Sequence, residues 1–267
     1  PEKKNYLDFL SRLPRLIKFY DKYKYNYATH IFDVQATLTP NAKNGTLDVE
    51  FATIDNAPVY YTLDGTTPSV NSTLYKGKLS LNKSVDIKAI AIRSNGRESR
   101  VYSERFLMSK SSLKPINLLT KAAGSYEYTG ATMLNDGLRG VDDNYKTGRW
   151  MGFQNNDLQA VIDLQNPTEI SKVAIQTAVN TGDWIYDANQ LKVEVSDDGT
   201  NFRYVAGIET YPYTKNAHWK GVMNHTVIFP TLTTRYVKVT VTTFKTLPKW
   251  HGAEGRAFIF VDEISVN

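Results

Sequence analysis

The sequence predicts a mostly β chain: a short helical opening leads into a small β-sandwich and then a larger β-sandwich or jelly roll. Three observations predict it. Apolar residues recur every three or four positions only near the start, and after residue 36 they alternate with polar ones. Gly, Asn, Asp and Pro clusters interrupt that alternation at short intervals. Residues 116–267 hold no long stretch of helical period, so an all-β sandwich or jelly roll follows.

Within residues 5–27, Leu10, Leu13, Ile17 and Tyr20 recur at three or four, flanked by Leu16, Tyr23 and Tyr27. That is the wide apolar face of a core-facing helix, and it needs a large partner surface. Pro14 deletes a backbone hydrogen bond inside the pattern, so two helical pieces or a kink are expected there. Asn26 suits a left-handed stop. In residues 36–112, Leu47, Val49 and Phe51 alternate with Asp48 and Glu50, and Val85, Ile87, Ala89 and Ala91 repeat the pattern. Asn95-Gly96 sits where a hairpin would turn back toward Val101. "SKSSLKP", 109–115, reads as a linker by composition. In residues 113–267 the strands are "AVIDL", "KVAIQTA", "LKVEVS", "RYVKVTV" and "AFIFVDEISV". The expected domains are therefore 1–35, 36–112 and 113–267.

Composition narrows the function classes. The 267 residues include no cysteine, which removes disulfides and thiolate metal sites. The net charge of +5 divides as +3 over residues 1–35, +3 over 36–112 and −1 over 113–267. No basic stripe emerges, so no nucleic acid is expected as partner. No apolar run approaches the ~20 residues of a membrane span, so no membrane insertion is expected. The four histidines show no zinc-binding spacing.

Three stretches resemble known families. "APVYYTLDGTTPSVNSTLYKGKLSLNKSVDIKAIAIRSNGRESRVYSERF", 57–106, is similar to the small fibronectin-like module that follows chitobiase and β-N-acetylhexosaminidase barrels. Residues 117–267 resemble the discoidin, or coagulation-factor type C, domain that many bacterial glycosidases carry as a carbohydrate-binding module. The resemblance runs in order through "LNDGLRGVDDNYKTGRWMGF", "AVIDLQNPTEISKVAI", "VEVSDDGTNF", "RYVKVTV" and "FVDEISV". "GRWMGF" and "WHGAEGRAFIFVDEI" look like the Bacteroides-type version. The opening "RLPRLIKFYDKYKYNYATHIFDV" resembles the last helix and exit strand of a glycoside hydrolase family 20 barrel, a (β/α)8 TIM barrel. The resemblance implies a non-catalytic C-terminal fragment of a β-N-acetylhexosaminidase. It would bind glycans, such as terminal galactose or N-acetylhexosamine sugars, and position its own catalytic domain. It also implies a periplasmic, cell-surface or secreted parent protein. A purely structural appendage bracing the barrel is the other reading.

The chemistry is weighed on the same terms. Asp262-Glu263 invites comparison with the catalytic Asp-Glu pair of family 20. It lies in the closing strand, however, where neighbouring side chains are expected on opposite faces, so no catalysis is assigned to it. Discoidin-like modules hold a structural calcium between the early loop and the last strand, and the resemblance implies Asp136, Asp142, Thr147 and Glu263 as ligands. Sugar sites combine an aromatic face with directional polar groups. Candidates are Trp184 and Tyr186 in "NTGDWIYDAN", Tyr211, Tyr213, His218 and Trp219 in "TYPYTKNAHWK", and Trp250 and His251 in "LPKWHGAEGR". Trp150 stands where the discoidin-like family keeps a core tryptophan, so the resemblance assigns it to the core.

Overall fold

The computed structural model of the chain describes residues 5–209, 220–242, 244–247 and 249–267. It divides into two compact units. One comprises Pro1–Thr39, Asp48–Leu79 and Val85–Glu104; the other comprises Pro40–Leu47, Ser80–Ser84 and Arg105–Asn267.

The first unit opens with helix α1 (Tyr6–Lys22), which runs through Pro14 as one element. Of the two outcomes expected at Pro14, the split into separate helical pieces is not found, because one missing N–H is tolerated where the helix is solvated around it: Pro14 and Arg15 are exposed. Leu13, Ile17 and Tyr20 are half-buried, whereas Phe9, Leu16 and Phe19 are 42%, 40% and 50% exposed. The side chain of Leu10 lies outside the described residues. Along the chain follow strands β1 (Gln35–Asn41), β2 (Thr46–Ala52), β3 (Val59–Thr62), β4 (Thr73–Leu74), β5 (Leu79–Leu81), β6 (Val85–Ala91) and β7 (Tyr102–Phe106), of which residues 40–47, 80–81 and 105–106 are grouped with the second unit. They form two sheets, ordered β1-β2-β5 and β4-β3-β6-β7. Alternation does what the sequence suggests: Val85, Ile87 and Ala89 face inward while Asp86 and Lys88 do not. Phe51 meets Tyr61, Tyr75 and Tyr102 with ring centroids 5.2–6.2 Å apart. The expected hairpin is present, with Gly96 at φ +80° and Arg93 N–H donating to Arg97 O at 2.9 Å.

The second unit is built on two 23-residue strands, β10 (Leu158–Asn180) and β13 (Lys220–Thr242), paired antiparallel. Their register breaks between Asp163 and Thr168 and again between Ile170 and Lys172. The breaks let each strand serve two layers. The Leu158–Asp163 half of β10 pairs with β8 (Ile116–Leu118), and the facing half of β13 pairs with β11 (Gln190–Ser196), which pairs with β12 (Arg203–Glu209). The Val173–Ala178 half pairs with β14 (Phe258–Val266), which pairs with β9 (Met151–Gln154). The result is a sandwich whose core includes Leu158, Ile162, Val173, Ile175, Val193, Val239, Ile259 and Val266. Trp150 is fully buried beside Phe260, as expected.

The stretch 109–115 is not an open linker. Ser111 is fully buried; its hydroxyl donates to Ile264 O at 2.8 Å and accepts from Val266 N–H at 3.0 Å. Leu113 N–H reaches Asn135 O at 2.7 Å. Ser111 satisfies backbone groups of the last strand, and Ser109 bonds Ser111 and Ser112 within the segment, so a polar composition here marks docked chain.

Candidate functional site

The carboxylates of the closing strand are arranged by a bulge. On β10 a single residue, Gln176, separates Ile175 from Thr177; on β14 two residues, Asp262 and Glu263, separate the partners Val261 and Ile264. Two residues opposing one is a β-bulge, which breaks the strict alternation of faces. The expectation that Asp262 and Glu263 face apart is therefore corrected. Asp262 Oδ2 accepts from Gly140 N–H at 3.0 Å and Glu263 Oε2 from Gly137 N–H at 3.1 Å, so both reach the same loop. Both residues are fully buried, and neither is open to a substrate.

Burial pushes the Asp262 carboxyl up to about 8, although the Gly140 N–H and the Arg139 charge pull it back. Glu263 is raised well above the usual carboxylate range, first by burial and then by its negative neighbours Asp136 and Asp262. Its Oε1 is buried and has no hydrogen-bond partner among the described residues. A buried, orphaned carboxylate oxygen beside a second carboxylate suits a hard cation. The remaining residues of the set do not join it. Asp142 is exposed and spends Oδ1 on its own turn, accepting from Asn144 N–H at 3.0 Å; Thr147 is exposed as well. Among the described residues, no three acidic or histidine side chains gather as a metal group. Of the four residues, Asp136 and Glu263 are close enough to repel each other electrostatically, whereas Asp142 and Thr147 stand out on the exposed turn.

The aromatic candidates divide by burial. Tyr211, Tyr213, His218 and Trp219 lie outside the described residues. Tyr186 is fully buried, with Phe244 at 5.5 Å and Trp250 at 6.4 Å between ring centroids, so its faces are covered by protein. Trp250 is half-buried in the same cluster. Trp184 differs: it is 36% exposed and its backbone is left-handed at φ +66°. That conformation is rare for a bulky residue and costs about 1–3 kcal/mol, so the surroundings must impose it. They do so from both sides. Asn180 and Ile185 exchange backbone hydrogen bonds at 3.1 and 3.0 Å, and Phe258 N–H donates to Trp184 O at 2.8 Å. A Cβ on Gly255 would stand 2.9 Å from the Trp184 ring, so the indole lies directly on that glycine. His251 joins the two loops by donating from Nε2 to Thr181 O at 3.1 Å.

The structure therefore brings the 180–187 and 249–258 loops together around Trp184. Sequence reasoning missed the polar groups of the same segment. Asp183 Oδ2 accepts from Asn180 Nδ2 at 3.0 Å and lies 3.5 Å from the Tyr145 hydroxyl. Asp183 adjoins Trp184 in sequence, which was the available signal.

The F5/8 type C domain model matches residues 121–259, and the Fn3 associated model matches residues 49–106. No curated protein matches. Among solved structures, the chain is 15% identical to a chitosan-binding module from a chitosanase/glucanase of Paenibacillus sp. IK-5, with a TM-score of 0.38 over 60% of this chain and 98% of that one. It is 15% identical to a Clostridium perfringens module solved with GalNAc-beta-1,3-galactose, with a TM-score of 0.38 over 57% and 93%. It is 17% identical to a Ruminococcus gnavus GH29 fucosidase solved with fucose, with a TM-score of 0.38, and covers 60% of this chain but only 26% of the fucosidase.

Proposed function

Because the chain belongs to the F5/8 type C domain family, we propose that it is a non-catalytic, glycan-binding appendage of a glycoside hydrolase. The observation that carries this is Trp184. A strained tryptophan remains 36% exposed at the junction of two loops, in a segment that also carries the Asp183 carboxylate and the Asn180 amide, bonded to each other at 3.0 Å. An exposed indole covers the apolar C–H side of a pyranose, and flanking polar groups select its hydroxyls. The ligands proposed are terminal galactose or N-acetylhexosamine sugars, and the parent enzyme a secreted, periplasmic or cell-surface family 20 β-N-acetylhexosaminidase of the Bacteroides type. Calorimetric titration of the chain with galactose, N-acetylgalactosamine and N-acetylglucosamine oligosaccharides tests the reading. Binding that disappears in Trp184→Ala supports it; no heat with any of these sugars overturns it.

A structural ion belongs to the same proposal. Asp136 and Glu263 would hold a calcium ion, which would neutralise two adjacent carboxylates and tie the early loop to the last strand. A second reading, an appendage that braces a catalytic barrel without binding sugar, is favoured by the open apolar side chains Phe9, Leu16 and Phe19 on α1. No helix among the described residues is long and apolar enough to cross a membrane.

A further inference from the structure

One buried cluster in the second unit is used by neither proposed site. Asp187 is 4% exposed, and three donors converge on its Oδ1: the Thr177 hydroxyl at 2.5 Å, the Ala188 N–H at 2.7 Å and His225 Nε2 at 2.6 Å. His225 and Thr177 are buried as well, at 8% and 0%. Thr177 lies on β10, His225 on β13, and Asp187 in the loop between β10 and β11. A carboxylate taken out of water at such a position is unfavourable unless its hydrogen bonds are made, and an apolar residue would fill the space more simply. What the carboxylate adds is direction, since it binds the loop to two strands at one point.

We propose that Asp187, held by Thr177 and His225, is a latch that positions Trp184 for ligand. The inference rests on the glycan-binding reading and deepens it. Trp184 lies three residues before the latch, and β10 ends at Asn180, three residues after Thr177. The latch therefore closes one end of a short arc whose other end is the backbone pairing of Asn180 with Ile185. Between these ties, Tyr186 N–H donates to Phe258 O at 2.9 Å, which registers the arc against the loop that carries Gly255. The left-handed Trp184 has little freedom left, and its open face is set before any ligand arrives. Preorganisation of this kind raises affinity by removing the ordering that binding would otherwise require. Asp187, Thr177 and His225 are positioning residues; none of them is offered to the sugar.

The test compares Asp187→Asn, Thr177→Val and Thr177→Ser by hydrogen exchange and by sugar titration. Thr177→Val keeps the shape and removes the donor, whereas Thr177→Ser keeps the donor. The expected result is faster exchange confined to residues 180–189 and 249–258 in Asp187→Asn and Thr177→Val, with β10 and β13 still protected. Affinity for whichever sugar the unaltered chain binds falls roughly tenfold in both, and Thr177→Ser restores both readouts. Unchanged exchange in the two loops overturns the latch, and so does loss of protection spread evenly through the sandwich. If the unaltered chain binds no sugar, the glycan reading fails on its own titration, while the exchange pattern still decides whether the latch orders the loop.

Discussion

At the scale of single residues, the second unit is sensitive where backbone and ring share one space. A Cβ on Gly140 would stand 2.1–2.5 Å from the Trp150 indole, closer than any real contact allows. Gly140 also gives its N–H to Asp262, so the loop cannot retreat without exposing a buried carboxyl. Gly140→Ala is therefore expected to destabilise the second unit by about 1–3 kcal/mol through overpacking. Urea unfolding followed by tryptophan fluorescence measures it, and an unchanged midpoint would mean that the loop has more slack than its contacts show. Asp198 is sensitive in a different way. Its carboxylate accepts from Thr200 N–H, Asn201 N–H, Asn201 Nδ2 and the Ser196 hydroxyl, each at 2.8 Å. These donors, led by the backbone of Asn201 and Thr200, hold its carboxyl far below the ordinary range. The sign follows from the direction: a lowered carboxyl contributes stability that is complete above its unfolded value of ~3.9 and is lost as pH falls below it. Asp198→Asn should then lower the melting temperature more at pH 7 than near pH 2. Equal losses at both would assign the turn's contribution to shape, not to charge.

At the scale of elements, much depends on how chain far from the centre is fastened. Ser111 is the fastening point for the segment that enters the second unit, since its hydroxyl serves one carbonyl and one N–H of β14. Removing it leaves both backbone groups buried and one short of a partner. Ser111→Ala should lower stability by about 1–3 kcal/mol in urea unfolding; a loss below ~0.5 kcal/mol, the range of ordinary surface changes, would return the segment to a simple linker. This segment shows where sequence legibility ends. Alternation made β6 readable because its burial is decided within the strand, and Asn95-Gly96 made its hairpin readable because the turn chemistry is local. Ser111 reads as linker because a hydroxyl's partner on β14 is invisible in "SKSSLKP". The bulge at Asp262-Glu263 is hidden for the same reason: it is a count of two against one, and the one, Gln176, lies on β10. Of the candidate site, the aromatics were legible as types but not as exposures. Tyr186 sits in polar sequence yet is roofed by Phe244 and Trp250, which the 244–251 segment brings over it. The Asp187–His225 pair, 38 residues apart, meets only because β10 and β13 run antiparallel.

At the scale of the whole molecule, the two units differ in what closes them. The first unit is closed by hydrocarbon and aromatic packing around Phe51, whereas the second brings residues 126 positions apart together at Gly137 and Glu263. A long closure of this kind gains most from anything that binds only the closed form, because the unfolded chain cannot assemble both halves of the site. If calcium is held by Asp136 and Glu263, it stabilises the native state by RT ln(1 + [Ca]/Kd), roughly 2.7 kcal/mol at a hundredfold excess over Kd. For a unit of this size that corresponds to a shift of roughly 5–10 °C. Neither proposed ligand belongs to the first unit, so its melting should not respond. The measurement is calorimetry of the intact chain with calcium, with a chelator, and after Glu263→Gln. The expected outcome is a second-unit transition that drops on chelation in the unaltered chain and no longer responds in Glu263→Gln. Identical melting with calcium and with chelator, in protein shown to be metal-free beforehand, removes the ion. The loop would then be closed by hydrogen bonds alone, from the Gly137 N–H to Glu263 and from the Gly140 N–H to Asp262, with burial still holding both carboxyls above their ordinary range.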